Sequence, residues 1–287
     1  MPQFHNRTRT STSIPARLRA EGRWFLVPLY YLLLSSDLGR EGIENSGSYR
    51  FADHVYANRP TGRFLIGALL DAILLRLKSA RSLRARYVLV KREIELFLAS
   101  RLHDQGGEIL ILSVPCGLAR ELFECARELE RQSDPIRHRV RWTGMDLDPD
   151  LVGSLQRKAL HLDSRMSFCV GDALAAGDHW GPGRCDMIVS IGFTEFLDDQ
   201  QTLALYGLAL EHLKPGGVFV TSGMKRHRFS DYLLRNIGEI HTHYRSEPEL
   251  KSLAAQAGFG QIRTHVVELQ TMLLAQKVRT DEKSRAS

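Results

Sequence analysis

Ile109-Leu110-Ile111-Leu112-Ser113-Val114-Pro115-Cys116-Gly117-Leu118-Ala119-Arg120-Glu121 is a short apolar run that breaks at Pro-Cys-Gly and passes straight into a helix-like sequence. It reads as a strand, a tight turn and a helix start. In an open parallel α/β sheet, ligands gather outside the carboxyl ends of the strands, where a helix N-terminus offers free backbone N–H groups. The turn from Ser113 to Ala119 is therefore the first place to expect a bound small molecule.

Outward from this stretch the same rhythm repeats. After Gln105-Gly106-Gly107 short apolar runs alternate with helical ones, the pattern of βαβ units and a parallel sheet. The pattern predicts strands near 109–114, 140–145, 166–170, 185–190, 217–222, 262–268 and 271–276. Helices are expected near 117–131, 149–159, 199–213 and 247–257. The last two strands are close enough in sequence for a hairpin, so the sheet is expected to end with an antiparallel member.

Each strand end carries residues suited to a nucleoside. The first gives Pro115-Cys116-Gly117. The second gives Gly144-Met145-Asp146-Leu147-Asp148, where Asp146 can accept hydrogen bonds from ribose hydroxyls. The third gives Val170-Gly171-Asp172-Ala173, with a carboxylate that could read an adenine amino group. After the fourth, Ser190-Ile191-Gly192-Phe193-Thr194-Glu195 would face the reacting end of the ligand. Asp148 or Asp150 is better placed than Asp146 to cap the helix at Leu151. Asp186, ahead of its strand, reads as structural, and Cys116 as a small buried residue.

This order, followed by Leu213-Lys214-Pro215-Gly216-Gly217, resembles the class I S-adenosylmethionine-dependent methyltransferases over about residues 108–278. The resemblance implies a Rossmann-like, mostly parallel seven-stranded sheet with an antiparallel last strand. It also implies S-adenosyl-L-methionine as cofactor, S-adenosyl-L-homocysteine as product, and contacts from Ser113, Pro115, Cys116, Gly117, Asp146, Leu147, Asp172, Ala173, Ser190, Ile191 and Gly192. One departure stands out. Where the family's first loop carries an acid and three alternate glycines, this chain has Ser113, Pro115, Gly117 and Ala119, so the methionine moiety must be held differently.

The N-terminal third reads as a helical extension, with segments over Phe64–Leu77 and Arg84–Arg101 and, ahead of these two, a ligand-bonding loop from Gly42 to Tyr56. Trp24, Phe25, Tyr30, Tyr31, Tyr49, Phe51 and Tyr56 could line an acceptor pocket or form plain core. The boundaries expected are a disordered basic tail over 1–20, an extension or lid over 21–104, the methyltransferase domain over 105–278 and a disordered tail over 279–287. The eleven apolar residues Trp24–Leu34 would span only about 16 Å as a helix, too little for a bilayer core of about 30 Å.

Charge is uneven. Residues 1–110 hold 17 Lys and Arg against 10 Asp and Glu, and the remainder 22 against 23, so the net +6 lies in the N-terminal third. That asymmetry suits a solvated basic face, an acidic partner or peripheral contact with an anionic membrane. Four scattered cysteines show no zinc spacing, which argues for no metal and a reducing, cytoplasmic setting. With no aromatic-interleaved basic motif and no Asn/Asp-Pro-Pro-Tyr-type run after the fourth strand, nucleic acid is not expected as a partner. A homodimer stays open.

Methyl transfer from a sulfonium needs alignment above all, and a base is optional. Candidates for one are Glu195, His227, His241, His243 and Tyr244, with Tyr49 in the N-terminal region. The expected acceptor is a small hydrophobic or lipid-like molecule. Two other readings remain: a non-catalytic binding or regulatory protein on the same fold, and an enzyme using the same cofactor for another transfer, such as aminopropyl transfer.

Overall fold

The computed structural model describes residues 13–44, 49–102, 106–132, 135–162, 165–175 and 183–278. These fall into two compact units, one of residues up to Ala85 together with Arg226–Thr242, the other of Arg86–Lys225 with His243 onward. The expected tail residues 1–12 and 279–287 lie outside the described residues, as do 45–48 of the Gly42–Tyr56 segment.

The larger unit is a seven-stranded sheet, ordered β3-β2-β1-β4-β5-β7-β6. Its strands are β1 (Ile109–Ser113), β2 (Val140–Asp146), β3 (Met166–Val170), β4 (Cys185–Ser190), β5 (Leu213–Met224), β6 (Gln261–Val267) and β7 (Gln270–Gln276). All run parallel except β7, which is antiparallel to both β5 and β6. β4 is buried along its whole length, as a central parallel strand covered on both faces must be. β5 begins earlier than its apolar run suggests. Leu213 already pairs with Cys185, and the next paired residue is Val218, so Lys214 to Gly217 bulge out of the ladder. Gly216 takes φ +79° there and its N–H donates to Lys277 O.

Helices α7 (Arg120–Arg131), α8 (Pro149–Leu160), α9 (Asp199–His212) and α11 (Glu247–Gln256) pack on the sheet. α7 buries Leu122, Phe123, Cys125 and Ala126 at helical spacing, and Phe123 stacks on Phe168 of β3. Asp148 caps α8, accepting from Asp150 and Leu151 N–H. Capping boxes open α9 through Asp198 and Gln201 and α11 through Ser246 and Glu249. Asp186 is structural: it accepts from Leu110 N–H (2.9 Å) and from Lys214 Nζ (2.6 Å).

The smaller unit is helical: α1 (Ile14–Ala20), α2 (Leu26–Ser35), α3 (Asp37–Glu44), α4 (Tyr49–Ala57), α5 (Phe64–Arg76), the first turns of α6 (Lys78–Ser100) and α10 (Arg228–Asn236). Two expectations are corrected here. Residues 13–20 are not a disordered tail, because Ser13 caps α1 and Leu18 is fully buried against Leu26 and Val27. Residues 49–56 are not a loop, because Phe51 and Val55, four apart, turn α4 onto a core of Leu38, Leu75 and Ala80. Phe51 is thus core, while Trp24, Phe25 and Tyr31 are exposed.

Asp71, fully buried on α5, organises this unit. Its carboxylate accepts from Ser36 Oγ and from the N–H groups of Leu38 (3.1 Å), Thr61 (2.8 Å) and Gly62 (2.7 Å). Burial pushes the carboxyl upward, but the hydrogen bonds from Ser36, Thr61, Leu38 and Gly62 outweigh it and hold it below its ordinary value of 3.8. Asp71→Ala leaves these donors buried without an acceptor and is expected to destabilise the chain by about 3 kcal/mol in urea unfolding. Since the folded carboxyl is the more acidic, its contribution is complete above the ordinary value and is lost as pH falls through the lower folded one. The variant's deficit should therefore shrink below about pH 4, where the unfolded carboxyl protonates.

Candidate functional site

The order of strands reverses between β1 and β4, and the site grows from that reversal. Past the end of β1, Val114 N–H donates to Val189 O of β4 (2.8 Å) and Cys116 N–H to Met145 O of β2 (2.7 Å). Gly117 N–H then donates to Asp146 Oδ2 (2.9 Å), and Asp148 N–H to Asp146 Oδ1 (3.2 Å). Asp146 O accepts from Gly171 N–H at the end of β3 (3.0 Å). One carboxylate therefore ties the first loop to its own strand end.

Two residues of the loop take left-handed backbone conformations. Gly117 has φ +48° and Ala119 has φ +46°, so α7 starts at Arg120 rather than at 117. For Ala119 that left-handed conformation costs roughly 1–2 kcal/mol.

The acid missing at Ser113 is supplied from α7. Ser113 Oγ donates to Glu121 Oε1 at 2.9 Å, which places the Glu121 carboxylate at the end of β1. Burial raises the Glu121 carboxyl, with its own backbone N–H, Ser113 Oγ and the Arg86 charge opposing. The sequence reading missed it, although an acid in a helix's first turn is the ordinary complement to the helix dipole.

Beyond β4, Glu195 is buried, and its Oε1 accepts from Arg86 Nη1 of α6 at 3.1 Å. Oε2 has no partner among the described residues. Burial raises this carboxyl too, against the charges of Arg86 and Arg245. Gly192 has φ +74°, and a Cβ there would come within 2.9 Å of Arg86 Nη2. The segment is clamped by buried Arg245, which donates to Thr194 O and Leu197 O (both 2.7 Å) and to Asp199 Oδ1 (2.8 Å). Gly192 N–H donates to Ser222 Oγ (3.2 Å), and Thr194 Oγ donates to Ser222 O. Sequence reading also missed Arg86 and Arg245. The signal for Arg86 is its place on a buried stripe with Ser82, Val90 and Ile94, each four residues from the next.

The remaining candidates are distributed as follows. Asp172 Oδ1 accepts from Leu174 N–H (2.9 Å), leaving Oδ2 for another donor, and Ala173 beside it is buried. Leu147 is exposed just past Asp146; Pro115 and Ile191 are half-buried; Ser190 and Cys116 are buried, and Ser190 Oγ has no partner among the described residues. Exposed His243 reaches the site only through its backbone N–H, which donates to Glu195 O (2.7 Å). His227 and Tyr49 belong to the smaller unit, where the His227 ring caps α10 through Ser230. Among the described residues no group of His, Cys, Asp and Glu could hold a metal, and no helix is long and apolar enough to cross a membrane.

The sheet order and the ligand-facing strand ends define a Rossmann-like class I methyltransferase fold. The family described as "Putative methyltransferase" matches residues 35–277, and the chain belongs to that family. Among solved structures, a possible exported protein from Bordetella parapertussis is 19% identical with a TM-score of 0.69, covering 88% of this chain and 87% of its own. The DszA carbon methyltransferase is 16% identical with a TM-score of 0.60, covering 92% of this chain and 71% of its own. The CMeT domain of the citrinin polyketide synthase is 14% identical with a TM-score of 0.58, covering 94% of this chain and 71% of its own. No curated protein matches the sequence.

Because Ala119 already holds the glycine-like conformation, Ala119→Gly removes strain and adds unfolded-state entropy. The expected net effect is a gain of about 0.5 kcal/mol in thermal or urea unfolding. A loss of stability would show that the Ala119 methyl packs more than it strains.

Proposed function

We propose that this protein is an S-adenosylmethionine-dependent methyltransferase that acts on a small hydrophobic or lipid-like acceptor by in-line transfer. The observation that carries the reading is the Asp146 carboxylate, held by Gly117 and Asp148 N–H at the strand-order reversal. The residues fit the cofactor. Asp146 would take the ribose hydroxyls, the free oxygen of Asp172 the adenine amino group, and exposed Leu147 an apolar ring face. Glu121, brought to Ser113, would take the ammonium of the methionine moiety. The left-handed Ala119 and the Glu121 carboxylate at Ser113 support a catalytic reading over a non-catalytic one.

When bound, the cofactor supplies an activated methyl on a sulfonium. The chain's task is to align the acceptor, exclude water and take a proton where the acceptor loses one. Glu195 suits the last role. Burial raises its carboxyl, Arg86 holds one of its oxygens, and the other is buried with no partner among the described residues. The four cysteines are free thiols, which supports a reducing compartment such as the cytoplasm.

Calorimetric titration with S-adenosylmethionine and S-adenosylhomocysteine tests the cofactor. Asp146→Ala and Glu121→Gln are each expected to weaken binding about ten- to a hundredfold with the unfolding midpoint kept within a few degrees. Unchanged affinity in both would remove the cofactor assignment. With an acceptor found by labelled-methyl screening, Glu195→Gln is expected to lower kcat by about a hundredfold while cofactor affinity stays within about twofold. Formation of methylthioadenosine in place of S-adenosylhomocysteine would instead mark another transfer chemistry.

A further inference from the structure

α5 is apolar on every side, and only one side is used. Gly67, Asp71 and Leu75 face the helical core, whereas Leu65, Ile66, Leu69 and Ile73, on the opposite side of the helix, are exposed. Leu65 is 90% exposed, and so is Phe64, which enters the helix at φ +56°. An isolated exposed leucine is ordinary. A helix-long apolar stripe is not, and it marks a surface that meets something other than water. The neighbouring α2, packed against α5, adds exposed Tyr31 and Leu32, and the residues just before it add exposed Trp24 and Phe25.

Charge says what that surface meets. From His54 to Arg81 the chain holds five Lys and Arg and a single acid, Asp71, whose carboxylate is buried and committed to Ser36 and three backbone N–H groups. Exposed Arg59 and Arg63 precede the stripe, and exposed Arg76, Lys78 and Arg81 follow it. An apolar helix face bounded at both ends by cations suits a bilayer surface, where its side chains meet acyl chains and its cations meet anionic headgroups. A second copy of the chain fits less well, because a two-fold contact through this face would set one basic rim against the other. At 13 residues α5 covers about 20 Å, so it can lie on a bilayer but not cross one.

We propose that the exposed face of α5 docks this protein on anionic lipid bilayers. The proposal concerns the surface alone and stands whether or not the acceptor is a lipid. Cosedimentation of the full chain with vesicles of phosphatidylcholine, alone or mixed with phosphatidylglycerol, tests it. The expected result is binding to the mixed vesicles, little to the neutral ones, and marked weakening by salt. Leu69→Glu should lower the partition coefficient by at least about tenfold, since it removes a leucine from the buried set and adds repulsion. Arg63→Glu and Arg76→Glu should each lower it by about fivefold or more. Leu69 is exposed, so its variant should keep the parent's melting temperature and cofactor affinity, which separates lost docking from lost folding. A folded parent chain that sediments with neither vesicle, or a Leu69→Glu chain that sediments as well as the parent, would overturn the proposal. So would a concentration-dependent dimer that Leu69→Glu dissolves, because the face would then belong to a second copy.

Discussion

The hydrogen bond from Gly117 N–H to the Asp146 carboxylate is the contact on which the site depends. Two parallel strands that end side by side leave their last backbone groups without ladder partners, and the loops that follow must satisfy them. Here the first loop does so by reaching in two directions, to Val189 O on β4 and to Met145 O on β2. Asp146 then fixes the loop's far side, and its backbone carbonyl fixes the end of β3 through Gly171. Three strand ends are thereby held together by one residue. A carboxylate placed only for stability would more economically have capped a helix, a task that Asp148 performs two residues later.

Around this frame lie ionic groups that a purely structural sheet would avoid. Isolated buried charges are expensive, so Glu121, Arg86, Glu195 and Arg245 persist because each has partners. Arg245 fills its donors with two carbonyls and the Asp199 carboxylate, and so fixes the segment that carries Glu195. Glu195 and Glu121 are satisfied less fully. Both are pushed upward by burial, and Glu195 keeps an oxygen without a partner among the described residues. Carboxyls held above their ordinary range next to a guanidinium cluster where charge must be bound or moved. Asp71 contrasts with them, since donors from Ser36, α3 and the segment before α5 hold its carboxyl low.

The fold was legible because its signals are local. β4 and the ends of α8 and α9 fall within a residue of where periodicity and caps put them, since apolar runs and residues such as Asp148 and Asp198 act on their own segments. The misses have definite causes. α7 starts late because left-handed residues at 117 and 119 delay the first turn, and an alanine gives no sign of that conformation. β5 starts early because the Gly-Gly bulge lets Leu213 pair before the apolar run begins. α1 and α4 each hide in polar stretches, since a single Leu18 or a Phe51–Val55 pair is enough to dock a short helix once neighbours exist. In the site, strand-end acids could be read because strand ends are predictable. The Arg86–Glu195 pair joins residues 109 positions apart, and no local pattern encodes that.

α5 and Asp71 together show why the N-terminal region resisted sequence reading. A run of thirteen residues with one acid and one terminal arginine gives almost no amphipathic signal, so periodicity identifies the helix but not its inward face. The inward face is set by the carboxylate. Asp71 can be buried only where donors converge, and Ser36 with the N–H groups of Leu38, Thr61 and Gly62 converge on a single side. Gly67 lies on that side as well, where a Cβ would overlap the Ser35 carbonyl. Once these two residues are turned inward, helical geometry sends Leu65, Leu69 and Ile73 outward, whatever their preference for water. The apolar stripe is thus exposed because a polar group was buried.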